Sequence, residues 1–136
     1  MLQKRAVRVI AGAKYLAHTS PIFKELKILN MNNIYVYNLL LIMYKHHHNK
    51  LPAIFDPFFV RFNELHSYGT RHSDHLRAPE QTNARSTHSV RSRGYKIYNY
   101  FVTRLDFNVE ISSFKRQAKS YLLDNDISFL LKEDDA

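Results

Sequence analysis

A chain of 136 residues has room for one domain and one modest hydrophobic core. With no Cys it forms no disulfide, thiolate nucleophile or sulfur-ligated zinc site, and with only three Gly it has little material for phosphate-binding loops. Apolar residues at 45%, nine Tyr and nine Phe among them, mark a chain that folds, and a net charge of +8 fits a polyanionic partner and ordinary solubility charge equally well.

The first predicted element runs from Leu2 to Ala13, where Leu2, Ala6, Val9, Ile10 and Ala13 recur at helical spacing. Lys4, Arg5 and Arg8 fall on the other side, Lys4 and Arg8 being i,i+4 neighbours. Gly12 weakens the end of this helix. Val7, Val9 and Ile10 are the set expected to stand exposed when the chain is on its own. Ser20-Pro21 is a start signal, because Ser20 caps free N–H groups and Pro21 suits the first helical position. Phe23 and Leu26 follow as a short apolar face.

Asn32 and Asn33 precede the most apolar segment, Ile34 to His48. A helix apolar on nearly every side is the buried centre of its domain. Lys45 to Lys50 puts positive charge at its C-terminal end, where the helix dipole favours it, and Leu51-Pro52 stops it. Phe55, Phe58 and Phe59 form an aromatic plug beside it.

From Arg61 to Arg93 apolar residues become sparse. This stretch reads as loop with two short extended pieces, Leu76–Pro79 and His88–Arg91, able to pair as a hairpin; a disordered linker is the competing reading. Order is expected to return at Gly94, with Tyr95, Ile97, Tyr98 and Phe101 on a short helix or turn. Ile111, Phe114, Ala118, Tyr121 and Leu122 then hold helical spacing, with Ser112 or Ser113 as the cap and Lys115, Arg116 and Lys119 outside. Ile127, Phe129, Leu130 and Leu131 add a last short helix capped by Asp126, before a solvated Glu133-Asp134-Asp135 end.

The charge is unevenly spread. Residues 1–50 carry eight Lys/Arg against one acid, and residues 61–96 carry seven against three. Residues 97–136 carry five against seven. A basic body with an acidic end points first to nucleic acid. Arg71, Arg77, Arg85, Arg91, Arg93 and Lys96 are interleaved with Tyr68, Tyr95 and Tyr98, and Arg pairs with phosphate where an aromatic stacks on a base. Tyr95 and Tyr98 read mainly as core, which leaves Arg71, Arg91 and Arg93 as contact residues, joined by Lys96 and by Lys4, Arg5 and Arg8.

Catalytic chemistry is not legible. A polymerase needs paired carboxylates on a tight turn to hold two metal ions, whereas Asp124, Asp126 and Asp134-Asp135 sit at helix or chain ends. His46-His47-His48 are adjacent and point around a helix, and no His pair has the i,i+4 spacing of a helical zinc site. Ser and His coexist in the middle segment without a nucleophile elbow. No metal, cofactor or small-molecule substrate is expected. No apolar stretch approaches the ~20 residues of a spanning helix, and no signal-peptide pattern opens the chain, so cytoplasm or nucleus is the expected location and no membrane contact is foreseen.

Five stretches, in order, carry a resemblance. Leu2-Gln3-Lys4-Arg5-Ala6-Val7-Arg8-Val9-Ile10 looks like L-Q-K-R-A-[IV]-R-x-I. His18-Thr19-Ser20-Pro21-Ile22-Phe23-Lys24-Glu25-Leu26 looks like H-T-x-P-L-F-x-x-L, and Tyr44-Lys45 with Leu51-Pro52 looks like M-Y-K-Y-x-x-x-x-L-P. His66-Ser67-Tyr68-Gly69-Thr70-Arg71 is similar to H-S-Y-N-T-R, and Phe114-Lys115-Arg116 with Tyr121-Leu122-Leu123 to F-K-R-x-L-K-x-Y-L-L. Together they resemble the region C-terminal to the polymerase core of Jockey-like non-LTR retrotransposon reverse transcriptases. One stretch departs: the pattern R-G-P-K-I-W-N-S-L-P becomes Arg93-Gly94-Tyr95-Lys96-Ile97-Tyr98-Asn99-Tyr100-Phe101-Val102, without its prolines and Trp. Gly69 stands where the pattern has Asn, an exchange between two residues that tolerate positive φ.

The resemblance implies a thumb-like piece of an RNA-directed DNA polymerase, truncated so that the Tyr-x-Asp-Asp turn falls upstream of Met1. It implies a non-catalytic role, supporting a template–primer duplex of RNA or DNA without sequence preference, with an upstream polymerase domain as a further partner. A domesticated protein-interaction module and a non-functional relic of a mobile element are the rival readings. The fold class expected is mainly α, a small helical bundle with a loop-rich basic middle segment and room there for a short β-hairpin. Residues 1–123 are expected as one unit, helical over 1–59, loop or hairpin over 60–93 and helical again over 94–123, with 124–136 as an acidic tail.

Overall fold

The computed structural model describes residues 2–80 and 89–132. Arg85, His88 and the Glu133-Asp134-Asp135 end therefore lie outside the described residues. The fold is a small helical bundle: α1 (Leu2–Ile10), α2 (Thr19–Glu25), α3 (Met31–His47), α4 (Phe62–Leu65), α5 (Val90–Phe101) and α6 (Ile111–Asp124), with 3-10 turns at Ala53–Phe58 and Ser128–Leu131.

α3 is the centre, as its composition predicts. Val36, Leu39, Leu40, Met43 and Tyr44 are buried, against α5 on one side and α6 on the other. Fully burying one such side chain is worth roughly 1.5–3 kcal/mol. The Ser128–Leu131 turn also packs on α3 and α5, and Ile127 just before it is completely buried. The core thus takes in residues beyond 123. Beyond its first two residues, only a narrow line of α3, through Ile34, Asn38 and Lys45, is exposed to water.

The helix ends differ from expectation, each for a local reason. α3 starts three residues early, at Met31, because Asn30 Oδ1 accepts from the Asn33 N–H at 2.9 Å. Asn33 is then free to donate its side-chain Nδ2 to the Leu122 carbonyl at 2.6 Å, tying α3 to α6. α2 starts at Thr19 rather than after Ser20, without a side-chain cap. Pro21 stays in the first turn, where backbone N–H groups have no helical partner to lose. α6 begins after Glu110, so Ser112 and Ser113 lie inside its first turn rather than capping it.

Three helices end in the same way. The residues just past α1, α2 and α3, namely Gly12, Lys27 and Asn49, have φ of 62°, 53° and 55°. In each case two backbone bonds close the end: Ala13 to Arg8 and Gly12 to Val9, Ile28 to Phe23 and Lys27 to Lys24, Lys50 to Lys45 and Asn49 to His46. These are Schellman closures, which satisfy carbonyls that the last helical turn leaves bare. The stop of α3 is therefore Asn49, ahead of Leu51-Pro52. Gly69 is not in the positive-φ region.

α5 is the main correction. The piece His88–Arg91 was expected as a strand and Gly94 as the point where order returns, yet Val90 already opens a helix. Ser89 Oγ accepts from the Ser92 N–H at 3.2 Å, and Val90, Gly94, Ile97, Tyr98 and Phe101 then face the core. Among the described residues there is no hairpin, only a single antiparallel bridge between Arg61 and Leu76. Nor is Val7 exposed. It is 2% accessible, packed with Ile22 and Phe23 in a small second core between α1 and α2, while Leu2 (82%) and Val9 (80%) face water.

Gly94 lets α5 approach α3 closely. A Cβ there would lie 2.9 Å from Phe59 Cε1 and 3.0 Å from Met43 Sδ, both buried. Gly94→Ala gains about 1 kcal/mol of helix propensity but overpacks the core at a cost of about 1–3 kcal/mol. The expected net loss is about 1 kcal/mol, read as a lower denaturant midpoint with an unchanged slope. A midpoint that rises would mean that Phe59 and Met43 yield freely.

Candidate nucleic-acid interface

The middle segment is closed on itself at its root by backbone bonds and meets the bundle through Leu76. Phe62 N–H donates to His75 O (3.1 Å), Asn63 N–H to Ser73 O (3.0 Å) and Arg77 N–H to Val60 O (2.8 Å). Leu76 is its one fully buried residue between 61 and 80. Asn99 on α5 grips it from both sides, Oδ1 accepting from Leu76 N–H at 2.8 Å and Nδ2 donating to Leu76 O at 2.9 Å. Asn99 thus supplies the donor and acceptor of a missing neighbouring strand. Residues 66–72 project from this stem, all exposed.

The residues expected to contact nucleic acid divide into free and committed groups. Lys4 and Arg5 are exposed on α1. Arg8 is half-buried, its Nε donating to the Ala17 carbonyl at 2.9 Å. Arg71 is exposed at the tip of the projecting loop. Arg91 is exposed in the first turn of α5, its guanidinium 5.6 Å from the centre of the Phe58 ring. Arg93, one of the three preferred contact residues, donates Nη2 to the Leu131 carbonyl at 3.0 Å and lies over the Tyr35 ring at 5.7 Å. Lys96 is half-buried further along α5. Arg93 fastens the closing turn to α5, so its head is not free in the way those of Arg71 and Arg91 are.

Lys4, Arg5 and Arg8 stand on α1, whose apolar partner is α2. That unit is fixed to the rest by Gln3, which donates to Leu29 O at 2.9 Å and accepts from Met31 N–H at 3.0 Å, and by the exposed Lys24–Asp124 ion pair at 3.0 Å. A groove of about 760 Å³ between α2 and α6 is lined by Lys4 and Lys24 but also by Asp124 and Asp126. Its mixed charge disfavours a phosphate there. Tyr98 is buried, as expected, and Tyr95 packs against the core.

Two of the three adjacent histidines, His47 and His48, act as a clamp. His47 bonds Tyr98 Oη (3.0 Å) through Nδ1 and Asn108 Oδ1 (3.1 Å) through Nε2, and His48 Nε2 donates to the Phe107 carbonyl at 2.7 Å. They fix the α5–α6 loop to the end of α3, beside the Tyr44 hydroxyl, which donates to Val109 O at 2.7 Å. Among the described residues no group of three His, Asp or Glu is placed to hold a metal ion, and no helix is long and apolar enough to cross a membrane. Sequence reasoning assigned the triplet no function because its partners lie some sixty residues away.

No protein-family model, curated protein or solved structure matches this chain.

His46 differs from its neighbours. Its Nε2 is buried with no hydrogen-bond partner among the described residues, and its ring lies 5.2 Å from that of Phe59. Burial, aided by Arg61 and His47 and opposed by Glu64 and Asp56, pushes its pKa below 6.5. The folded state therefore prefers neutral His46. Its contribution to stability is complete above about pH 6.5 and is lost as pH falls below that value, because the unfolded chain takes up the proton first. His46→Phe keeps the ring and removes the proton site. The loss of melting temperature between about pH 7.5 and about pH 5.5 should be smaller in the variant than in the wild type. Equal losses would show that the proton is absorbed elsewhere.

Proposed function

We propose that this chain is a non-catalytic, thumb-like piece of a non-LTR retrotransposon RNA-directed DNA polymerase, which supports a template–primer duplex through phosphate contacts. The observation that carries the reading is the ordered set of five motif resemblances spanning residues 2–123, with the exposure of Lys4, Arg5, Arg71 and Arg91 in support. Phosphate contact needs mobile cationic heads near the surface, whereas base-specific readout needs a rigid element inserted in a groove. Basic side chains scattered over a short helix, a loop tip and a helix start suit the first and not the second.

A second reading, a protein-interaction module, is favoured by the outer face of α1, where Leu2, Val9 and Ile10 stand in water with Tyr15 and Leu16 just beyond. An upstream polymerase domain is one partner that would cover this face. The two readings differ in their response to salt.

Binding to a duplex of arbitrary sequence should weaken steeply with salt. About four phosphate contacts give a log–log slope of about −3 to −4, each contributing roughly −0.9 on B-DNA. Arg71→Ala with Arg91→Ala should shrink the slope by about 2 and weaken unrelated sequences alike. Arg93→Ala should instead lower the melting temperature, since it releases the Leu131 carbonyl. A flat salt dependence would transfer the case to the protein-interaction reading.

The same reading predicts no primer extension on an RNA template with magnesium or manganese, since two-metal catalysis needs a carboxylate pair. Template-dependent incorporation that survives repurification would overturn it.

A further inference from the structure

We propose that the His66–Tyr68 ring pair is a stacking platform for an unpaired base, so that the protein prefers a duplex with a single-stranded overhang to a blunt one. The inference rests on the duplex-supporting reading and names the part of the nucleic acid that this loop would take.

The two rings are parallel to within 20°, with centroids 5.4 Å apart. Tyr68 nevertheless remains 65% exposed. One side of its ring is supported and the rest is open. Most aromatic rings of this chain are occupied in the core: Tyr98, Phe101, Phe107 and Phe114 are buried against one another or their neighbours. The His66–Tyr68 pair is instead held out on a loop whose base is fastened by three backbone bonds and by the Asn99 grip on Leu76. An aromatic that gains nothing from the core, on a stem fixed at its root, is pre-positioned for an external flat ligand.

The surroundings fit a nucleotide. Arg71 is the only permanent charge in residues 66–72, is exposed, and follows Tyr68 by three residues, within reach of a phosphate next to a stacked base. Every base has a π-face, so stacking adds affinity without sequence preference. Bases inside a duplex are already stacked on both sides. The platform can accept only an unpaired one, such as the template strand running beyond a primer end.

The test compares a blunt DNA duplex with the same duplex bearing a short overhang that contains 2-aminopurine, at low salt. The overhang should bind about ten-fold more tightly, and the probe's fluorescence should be quenched on binding. Tyr68→Ala should abolish both the preference and the quenching while leaving blunt-duplex affinity within about two-fold, and Tyr68→Trp should restore them. Equal affinity for the two DNAs, or a preference that survives Tyr68→Ala, overturns the platform and leaves the duplex reading standing. Binding to the overhang strand alone but not to the blunt duplex supports the platform and removes the duplex reading. Binding to neither removes both.

Discussion

α3 has almost no polar face to offer water, and α5, α6 and the closing turn are arranged as its cover. Seventeen residues long, it buries Val36, Leu40 and Met43 completely. One helix cannot shield a surface that wraps round a cylinder, so α5 and α6 flank it, Phe59 packs nearby and the closing turn adds a further wall. The order along the chain follows from this demand. A central helix placed early must wait for cover supplied 50 to 90 residues later, and the long-range bonds run accordingly, from Asn33 to Leu122 and from Tyr44 to Val109.

With no sheet among the described residues to pair backbone groups, side-chain amides do that work between distant segments. Gln3 spans Leu29 and Met31, Asn33 reaches Leu122, and Asn99 holds Leu76. Each bond is worth only about 0.5–1.5 kcal/mol net, but leaving a buried donor or acceptor bare costs about 1–3 kcal/mol. The amides matter more as conditions for order than as sources of stability. The stretch from Arg61 to Glu80 shows this, since only Leu76 is fully buried there and yet the backbone is bonded at its root.

Periodicity made α3 and α6 legible, because their apolar spacing is long and continuous. It also found the apolar stripe of α1, but not its orientation. Leu2, Ala6, Val9 and Ile10 do share a face, yet α2 is short and covers Val7 instead. Spacing says which residues stand together and not which side has a neighbour. α5 was hidden by its composition: Ser, Arg and Gly at its start suggested loop. The signal was present in Ser89 followed by Val90, Gly94, Ile97, Tyr98 and Phe101 at helical intervals, and Gly94, expected as the start of order, instead sits one turn inside the helix at a close approach. Among the basic residues, sequence separated charge from core but could not see that Arg8 and Arg93 reach carbonyls of other segments. An acceptor of that kind exists only once the chain has folded.

The departure at Tyr95 connects these points. Under the proposed reverse-transcriptase reading, the pattern set against this stretch has Pro there. Pro at the sixth position of a helix would remove an N–H and crowd the preceding turn. Tyr95 keeps both intact, so α5 runs unbroken from Val90 to Phe101. That continuity sets Gly94 against Phe59 and, five residues on, Asn99 against Leu76. The stem bearing Tyr68 and Arg71 is thus oriented by a helix that a Pro at position 95 would interrupt. Position 95 lies on α5 and not on the projecting loop, yet the continuity of α5 there bears on the loop's support. A Pro placed at that position would act on the loop through Asn99, by misplacing the amide that Leu76 needs.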